Sequence, residues 1–301
     1  MKIWLIDKKQ NFESHENKRF QDEAEKMGIE LRMVAPENFD IVIAGGEQGR
    51  ILYEGNCEDQ VKCSITRLGS GTTYFALATL RHLENLGILV LNSSDSIEVG
   101  RDKLATMQVL ATHRIPIPKT MLAKFPLDID LLEKEFSYPV IIKPVSGSKG
   151  RGIFLCESKM QMTDLIELIE VSIDPKVNVI IQEFISTSRG KDIRVIVVGG
   201  RAIGAMLRRA KEGKFKANFS AGGSVAPYEL NEAVEWLAVE SARVIGLDIA
   251  GIDILFDGDS YKVCEVNCAP GFRGFEKATE INVPQEIFQY IHLRLKGILK
   301  A

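Results

Sequence analysis

The 301-residue sequence predicts an α/β protein of more than one domain, and three observations carry the prediction. Apolar runs rich in β-branched residues alternate with helical patterns along most of the chain, beginning with a β-α-β unit over residues 2–34. A rigid connector, Ile115-Pro116-Ile117-Pro118, follows a long helical pattern and leads into a second alternating unit. Near the carboxyl terminus two apolar runs bearing oxygen ligands, Gly251-Ile252-Asp253-Ile254-Leu255-Phe256 and Tyr261-Lys262-Val263-Cys264-Glu265-Val266-Asn267, flank Asp257-Gly258-Asp259-Ser260, turn chemistry that predicts an antiparallel hairpin.

Composition narrows the function classes. With 45% hydrophobic and 26% charged residues the chain is an ordinary soluble globular protein, and no apolar run approaches a membrane span. The apolar amino-terminal run is too short and too soon charged for a signal peptide, so a cytoplasmic location is expected. A net charge of −3 gives no electrostatic reason for a nucleic-acid or membrane partner. The five cysteines, at 57, 63, 156, 264 and 268, form no CxxC pair and lack neighbouring histidines, which points to reduced thiols rather than disulfides or zinc.

Taken in order, residues 2–6 read as a strand, 12–27 as a helix and 29–34 as a strand; 39–44 and 51–53 make a hairpin, and 64–68 a strand with Arg67 at its carboxyl end. Ligands of open α/β sheets gather at such ends, so Arg67 is read either as a clamp for an acidic substrate or as a surface arginine. Residues 72–87 read as a helix, 89–92 as a strand and 96–112 as one helix, with a domain boundary near 95–100. Then come strands at 118–123 and 139–143, a helix between them at 128–136, a strand at 152–156, a helix at 158–172 and a strand at 177–182.

The loop Pro144-Val145-Ser146-Gly147-Ser148-Lys149-Gly150-Arg151-Gly152 is either a mobile hairpin tip or a nest for phosphate oxygens, with Lys149 and Arg151 supplying charge. Lys143 ends an otherwise apolar strand, where a buried ammonium requires an anion. Gln182-Glu183-Phe184-Ile185 suits an adenine slot in which polar groups read the base edge and Phe184 packs on its face. Residues 192–198 and 201–209 form a hairpin ending in a basic run, 208–218, read as a solvated loop or as a flap over a triphosphate. Residues 229–246 form a helix, 270–277 a loop and 284–299 a closing helix.

In the 251–267 hairpin, Glu265 and Asn267 share a strand face, and a three-residue loop sets Asp253 opposite Glu265. Two carboxylates and an amide oxygen suit a hard cation such as magnesium; a solvated acidic strand is the other reading.

Taken together, Arg101-Asp102-Lys103, Ile142-Lys143-Pro144 with its glycine loop, Gln182-Glu183-Phe184-Ile185, Asp192-Ile193-Arg194-Val195, Arg208-Arg209-Ala210, Gly251-Ile252-Asp253 and Glu265-Val266-Asn267 resemble the ATP-grasp superfamily in its proper order. The RimK-type glutamate ligases are the branch they resemble most. The resemblance implies a small α/β domain over 1–97, a central lid domain over 98–185 and a carboxyl-terminal domain over 186–301, with ATP between two sheets. It implies phosphate contacts from Lys103, Lys143, Ser148, Lys149, Gly150 and the flap residues Lys216, Ala217 and Asn218. Adenosine falls to Gln182, Glu183, Phe184 and Asp192. Asp253, Glu265 and Asn267 would hold magnesium, two ions, with manganese as an alternative. Arg208, with Arg209 as the fallback, would stabilise the reacting oxygens, and Arg67 and Arg273 would meet acidic substrate. The implied reaction joins L-glutamate to an acceptor carboxylate, whether a protein terminus, a coenzyme tail or a small acid. A homo-oligomer is the usual state for such an enzyme. A non-catalytic ATP-binding regulator, or a ligase for another amine, is the alternative.

Overall fold

A computed structural model of the chain describes residues 1–45, 49–57, 60–69, 71–145, 152–172, 178–212 and 222–299. Lys2–Ile6 (β1), His15–Lys26 (α1) and Glu30–Val34 (β2) make the expected β-α-β unit, with β1 and β2 parallel. Ile3, Trp4, Leu5 and Ile6 are all fully buried, as a strand covered on both faces requires. Val61–Thr66 (β6), Tyr74–Asn85 (α2) and Leu89–Leu91 (β7) complete a parallel sheet of order β2-β1-β6-β7. Beside it Phe39–Val42 (β3) and Arg50–Tyr53 (β4) form the expected hairpin, which Asn56–Cys57 (β5), too short to show a period, extends to three strands.

The pattern over 96–112 is two helices rather than one, Ser94–Gly100 (α3) and Lys103–Thr112 (α4). Asp102 causes the break. Its Oδ1 accepts the Leu104 and Ala105 N–H groups as the cap of α4, at 2.8 and 3.0 Å.

Thr120–Leu122 (β8), Ile129–Glu135 (α5), Val140–Pro144 (β9), Phe154–Cys156 (β10), Lys159–Ser172 (α6) and Val179–Glu183 (β11) build an antiparallel sheet of order β10-β9-β11-β8. Leu132, Val140, Ile142, Met162 and Ile181 belong to a core of this unit's own, separate from the two clusters that fill the rest of the molecule.

The third unit is a five-stranded antiparallel sheet, β14-β13-β12-β15-β16, made by Lys191–Val198 (β12), Arg201–Arg209 (β13), Ser224–Tyr228 (β14), Ile249–Asp257 (β15) and Ser260–Asn267 (β16). The edge strand β14 has no sequence signal, since Pro227 interrupts it. Glu232–Ile245 (α7) covers one face. The 270–277 segment, expected to be a loop, starts a helix at Arg273–Thr279 (α8), and Val283–Leu295 (α9) closes the chain.

The first and third units share their cores: Trp4 and Leu80 cluster with Val195 and Ile252, and Phe20 with Phe275 and Phe288. Buried Asn92 ties them at the backbone. Its amide donates to the carbonyls of Ile249 and Cys268 at 2.7 and 2.8 Å, and its Oδ1 accepts the Ile249 N–H at 2.7 Å. Leaving such groups unpaired costs about 1–3 kcal/mol each, so the two units behave as one base against which the separately cored central unit sits.

Candidate active site

The hairpin of β15 and β16 places the oxygen ligands. Asp253 stands opposite Glu265, and Gly251 opposite Asn267, as the sequence predicts, but by another route. The turn has two residues, Gly258 and Asp259 between paired Asp257 and Ser260, and the register then shifts by one between Asp253 and Ile254. That bulge leaves Cys264 as the extra residue between Val263 and Glu265. Without it Cys264 would face Asp253 and Glu265 would turn to the other side. The Asn267 amide nitrogen donates to the Gly251 carbonyl at 3.1 Å, which leaves its Oδ1 as the atom for a cation.

Register across the sheet fixes the rest of this face. Arg194 on β12 is opposite Asp253, and Asp192 is opposite Arg208 on β13. Ile193, Val195, Ile252, Ile254 and Val263, on the other face, belong to the apolar core that includes α7 residues Val234 and Leu237. Arg194 grips both Asp253 oxygens at 2.7 Å. Arg208 grips both Asp192 oxygens, at 2.5 and 2.9 Å, and reaches Asp253 Oδ2 at 2.8 Å.

These two arginines sort the carboxylates. Burial opposes both anions, but Asp253 has two guanidiniums and is held down to about 2. Among the described residues Asp192 has Arg208 alone at bonding distance, and burial pushes its carboxyl up to about 6. Burial also opposes the Arg208 charge, which Asp253 and Asp192 outweigh, so the guanidinium is more firmly protonated than usual. An acid raised in the folded state contributes stability that is complete below its unfolded value and is lost as pH rises through about 6. Asp253, being lowered, loses its contribution only as pH falls toward about 2. Asp192→Asn is therefore expected to flatten the fall in stability between about pH 4.5 and about pH 7, read from urea midpoints. A variant that tracks the wild type across that interval contradicts the assignment.

The central sheet supplies the opposing wall. Val140 and Ile142 pack into the unit's core, so Lys143 lies on the other face of β9 with Ile180 and Gln182 of β11. Lys143 is only 5% exposed, and among the described residues no carboxylate pairs with it. The walls meet through charge. Lys103 Nζ is 3.9 Å from Glu265, and Lys262 bridges to Glu183 at 3.0 Å and Asp257 at 3.2 Å. Burial pushes the Lys103 ammonium below its usual value; Glu265 opposes the shift and Lys143 adds to it. Cys264, near Lys143, is pushed up to about 11 by burial and is a thiol at neutral pH.

The remaining expected residues divide clearly. Gln182 is buried, and its amide donates to Thr120 Oγ1 at 2.9 Å, so it serves the central sheet. Glu183 meets Lys262, and Phe184 is half-buried with the Arg189 guanidinium 5.9 Å from its ring centre. Arg209 is exposed on the face opposite to Arg208. Arg67 donates to the Pro270 carbonyl at 2.8 Å and lies 5.6 Å from the Phe272 ring centre, with its Nε buried and unpaired; Arg273 is exposed at the start of α8. Ser148, Lys149, Gly150, Lys216, Ala217 and Asn218 lie outside the described residues. Sequence reading assigned no role to Arg194. The signal was present, because Asp192 and Arg194 alternate with Ile193 and Val195 in a strand that is otherwise apolar.

The face of the third sheet that bears Asp192, Arg194, Asp253 and Glu265 thus meets Lys103 of α4 and lies close to Lys143 of the central sheet. Residues 1–97 match the RimK PreATP-grasp domain and residues 100–291 the RimK-like ATP-grasp domain. The chain belongs to the RimK-like ATP-grasp family. A probable alpha-L-glutamate ligase from Legionella pneumophila (strain Corby) is 35% identical over 300 residues, covering 99% of this chain and 97% of that protein. Another from Hydrogenovibrio crunogenus is 32% identical over 297 residues, covering 98% and 97%. Among solved structures, the ATP-grasp ligase PsnB complexed with a phosphomimetic variant of its minimal precursor, Mg and ADP superposes with a TM-score of 0.74 at 19% identity, covering 97% of this chain and 98% of that one. D-alanine–D-alanine ligase from Bacillus anthracis complexed with ATP gives 0.68 at 17%, covering 99% and 98%. This RimK-like chain is an ATP-grasp ligase, and no helix among its described residues is long and apolar enough to cross a membrane.

Proposed function

We propose that this ligase activates an acceptor carboxylate with ATP and joins it to L-glutamate. The observation that carries the reading is the register of the hairpin, which sets Asp253, Glu265 and Asn267 on one face beside Lys103 and across from Lys143. In this reading Lys103, Lys143 and the segments 148–150 and 216–218 hold phosphates, while Glu183, Phe184 and Asp192 flank the adenosine. The chain divides at 97 and 185 into amino-terminal, lid and carboxyl-terminal domains. An oxygen-only donor set with one amide and two carboxylates fits magnesium, two ions with manganese as substitute, which would neutralise charge on the transferring phosphoryl group.

The γ-phosphoryl group passes from ATP to a carboxylate oxygen of the acceptor, releasing ADP and leaving an acyl phosphate. The amine of glutamate attacks the acyl carbon, loses a proton, and orthophosphate departs as the amide forms. In this reading Arg208, near the end of β13 and bonded to Asp192 and Asp253, stabilises negative oxygen at the reacting centre. No nucleophilic side chain is needed.

The test is turnover with ATP and a panel of acceptor acids, followed by mass spectrometry of the products. ADP should appear only when an acceptor is present, and amide and orthophosphate only when L-glutamate is added as well. Arg67 and Arg273 are the proposed partners of substrate carboxylates, and a guanidinium left desolvated without its anion is costly. Glutamate should therefore be preferred to glutamine by about 2 kcal/mol or more in kcat/KM. Equal use of the two amines points to a ligase for another amine. ATP binding with no acid-dependent ADP points to a regulator.

A further inference from the structure

We infer that Arg194 is a positioning residue for Asp253, and that with Arg208 it keeps a free divalent cation out of the cleft until a phosphate-bearing anion has entered. The inference rests on the proposed nucleotide and cation reading of this face. A carboxylate offers about four lone-pair positions. Arg194 takes one on each Asp253 oxygen at 2.7 Å, and Arg208 takes the second on Oδ2 at 2.8 Å. Among the described residues, what remains is a single position on Oδ1. A guanidinium fork sets the plane of the carboxylate it grips, so Arg194 fixes where that position points.

Charge makes the same argument from another side. Arg194, Arg208, Lys103 and Lys143 serve this part of the cleft, against the carboxylates Asp192, Asp253 and Glu265. Asp102, which also acts on Lys103, adds a fourth carboxylate, so among these described residues cations and anions balance. A lone dication approaching Asp253 meets two guanidiniums already on it, whereas a triphosphate makes the site strongly negative. Arg208, shared between Asp192 and Asp253, would turn one of its donors to a phosphate while Arg194 keeps its hold. Nucleotide therefore enters before the cation or together with it.

The test titrates Mn2+ into the full-length protein and follows the free ion by electron paramagnetic resonance, with and without ADP, while ADP binding is measured by calorimetry on the same samples. Wild type should bind Mn2+ at least about tenfold more tightly when ADP is present. Arg194→Gln should raise the affinity for Mn2+ alone by about fivefold or more and shrink the gain from ADP. Arg194→Lys, which keeps the charge but not the fork, should still exclude the lone cation and hold Mn2+ with ADP more weakly than wild type. Equal Mn2+ affinity with and without ADP in wild type overturns the inference, and that comparison needs no variant to fold. ADP binding with both Mn2+ affinities unchanged in Arg194→Gln overturns it while leaving the nucleotide reading intact. Failure of wild type to bind ADP removes the reading and the inference together.

Discussion

Glu265→Gln is expected to leave the chain folded and to lower turnover by roughly a hundredfold or more, about 3 kcal/mol in the barrier. The folding half follows from exposure and partners. The Glu265 side chain is 36% exposed, and its ion pair with Lys103 is long at 3.9 Å, so its loss removes little from the folded state. Glutamine keeps the shape and the place on β16, and the bulge at Cys264 does not depend on the carboxylate. The catalytic half follows from charge. Asp253 is already occupied by two guanidiniums, and Asn267 contributes only a neutral oxygen, so Glu265 carries most of the anionic attraction left for a cation. Thermal melts by circular dichroism and steady-state ADP release at saturating magnesium check the two halves separately. A near-normal kcat would remove Glu265 from the cation site.

The fold was readable wherever a period ran long enough. The β-α-β opening, the central alternation and the carboxyl-terminal hairpin all appear where hydrophobic spacing put them, because burial on one or both faces dictates that spacing. What escaped was decided by single residues or by tertiary cover. Asp102 broke a continuous helical pattern by capping, an outcome that composition does not separate from a tolerated interior aspartate. Segment 270–277 carries two glycines and a proline and reads as loop, but burial of Gly274 and Phe275 against the sheet makes a helix of its second half. In the site, the shared face of Glu265 and Asn267 was legible from alternation, and the pairing of Asp253 with Glu265 followed from a three-residue loop where the structure has a two-residue turn and a bulge. The bulge was not legible, since an extra residue at Cys264 leaves no mark in a strand of mixed character. For Arg194 the alternation with Ile193 and Val195 marked the face, but only the register names Asp253 as its partner.

Arg208→Met is expected to cost about 3 kcal/mol or more of folding stability, besides removing the group proposed at the reacting oxygens. Methionine retains much of the apolar stem, so the loss is one of charge and hydrogen bonds rather than volume. Arg208 is buried and bonds to both Asp192 and Asp253, and its removal strands the first while the second keeps Arg194. The cost therefore falls mainly on Asp192, whose carboxyl already stands at about 6 with its partner in place. Two consequences follow. The deficit should shrink on going from about pH 7.5 to about pH 5, because a protonated Asp192 needs no cation. Combining the change with Asp192→Asn should recover a large part of the lost stability without recovering activity, since the stranded anion is gone but the guanidinium is still missing. Urea unfolding at the two pH values, with kcat measured on the single and double variants, checks each step. A deficit below about 1 kcal/mol, or one that grows as pH falls, would mean that Asp192 does not depend on Arg208 for its burial.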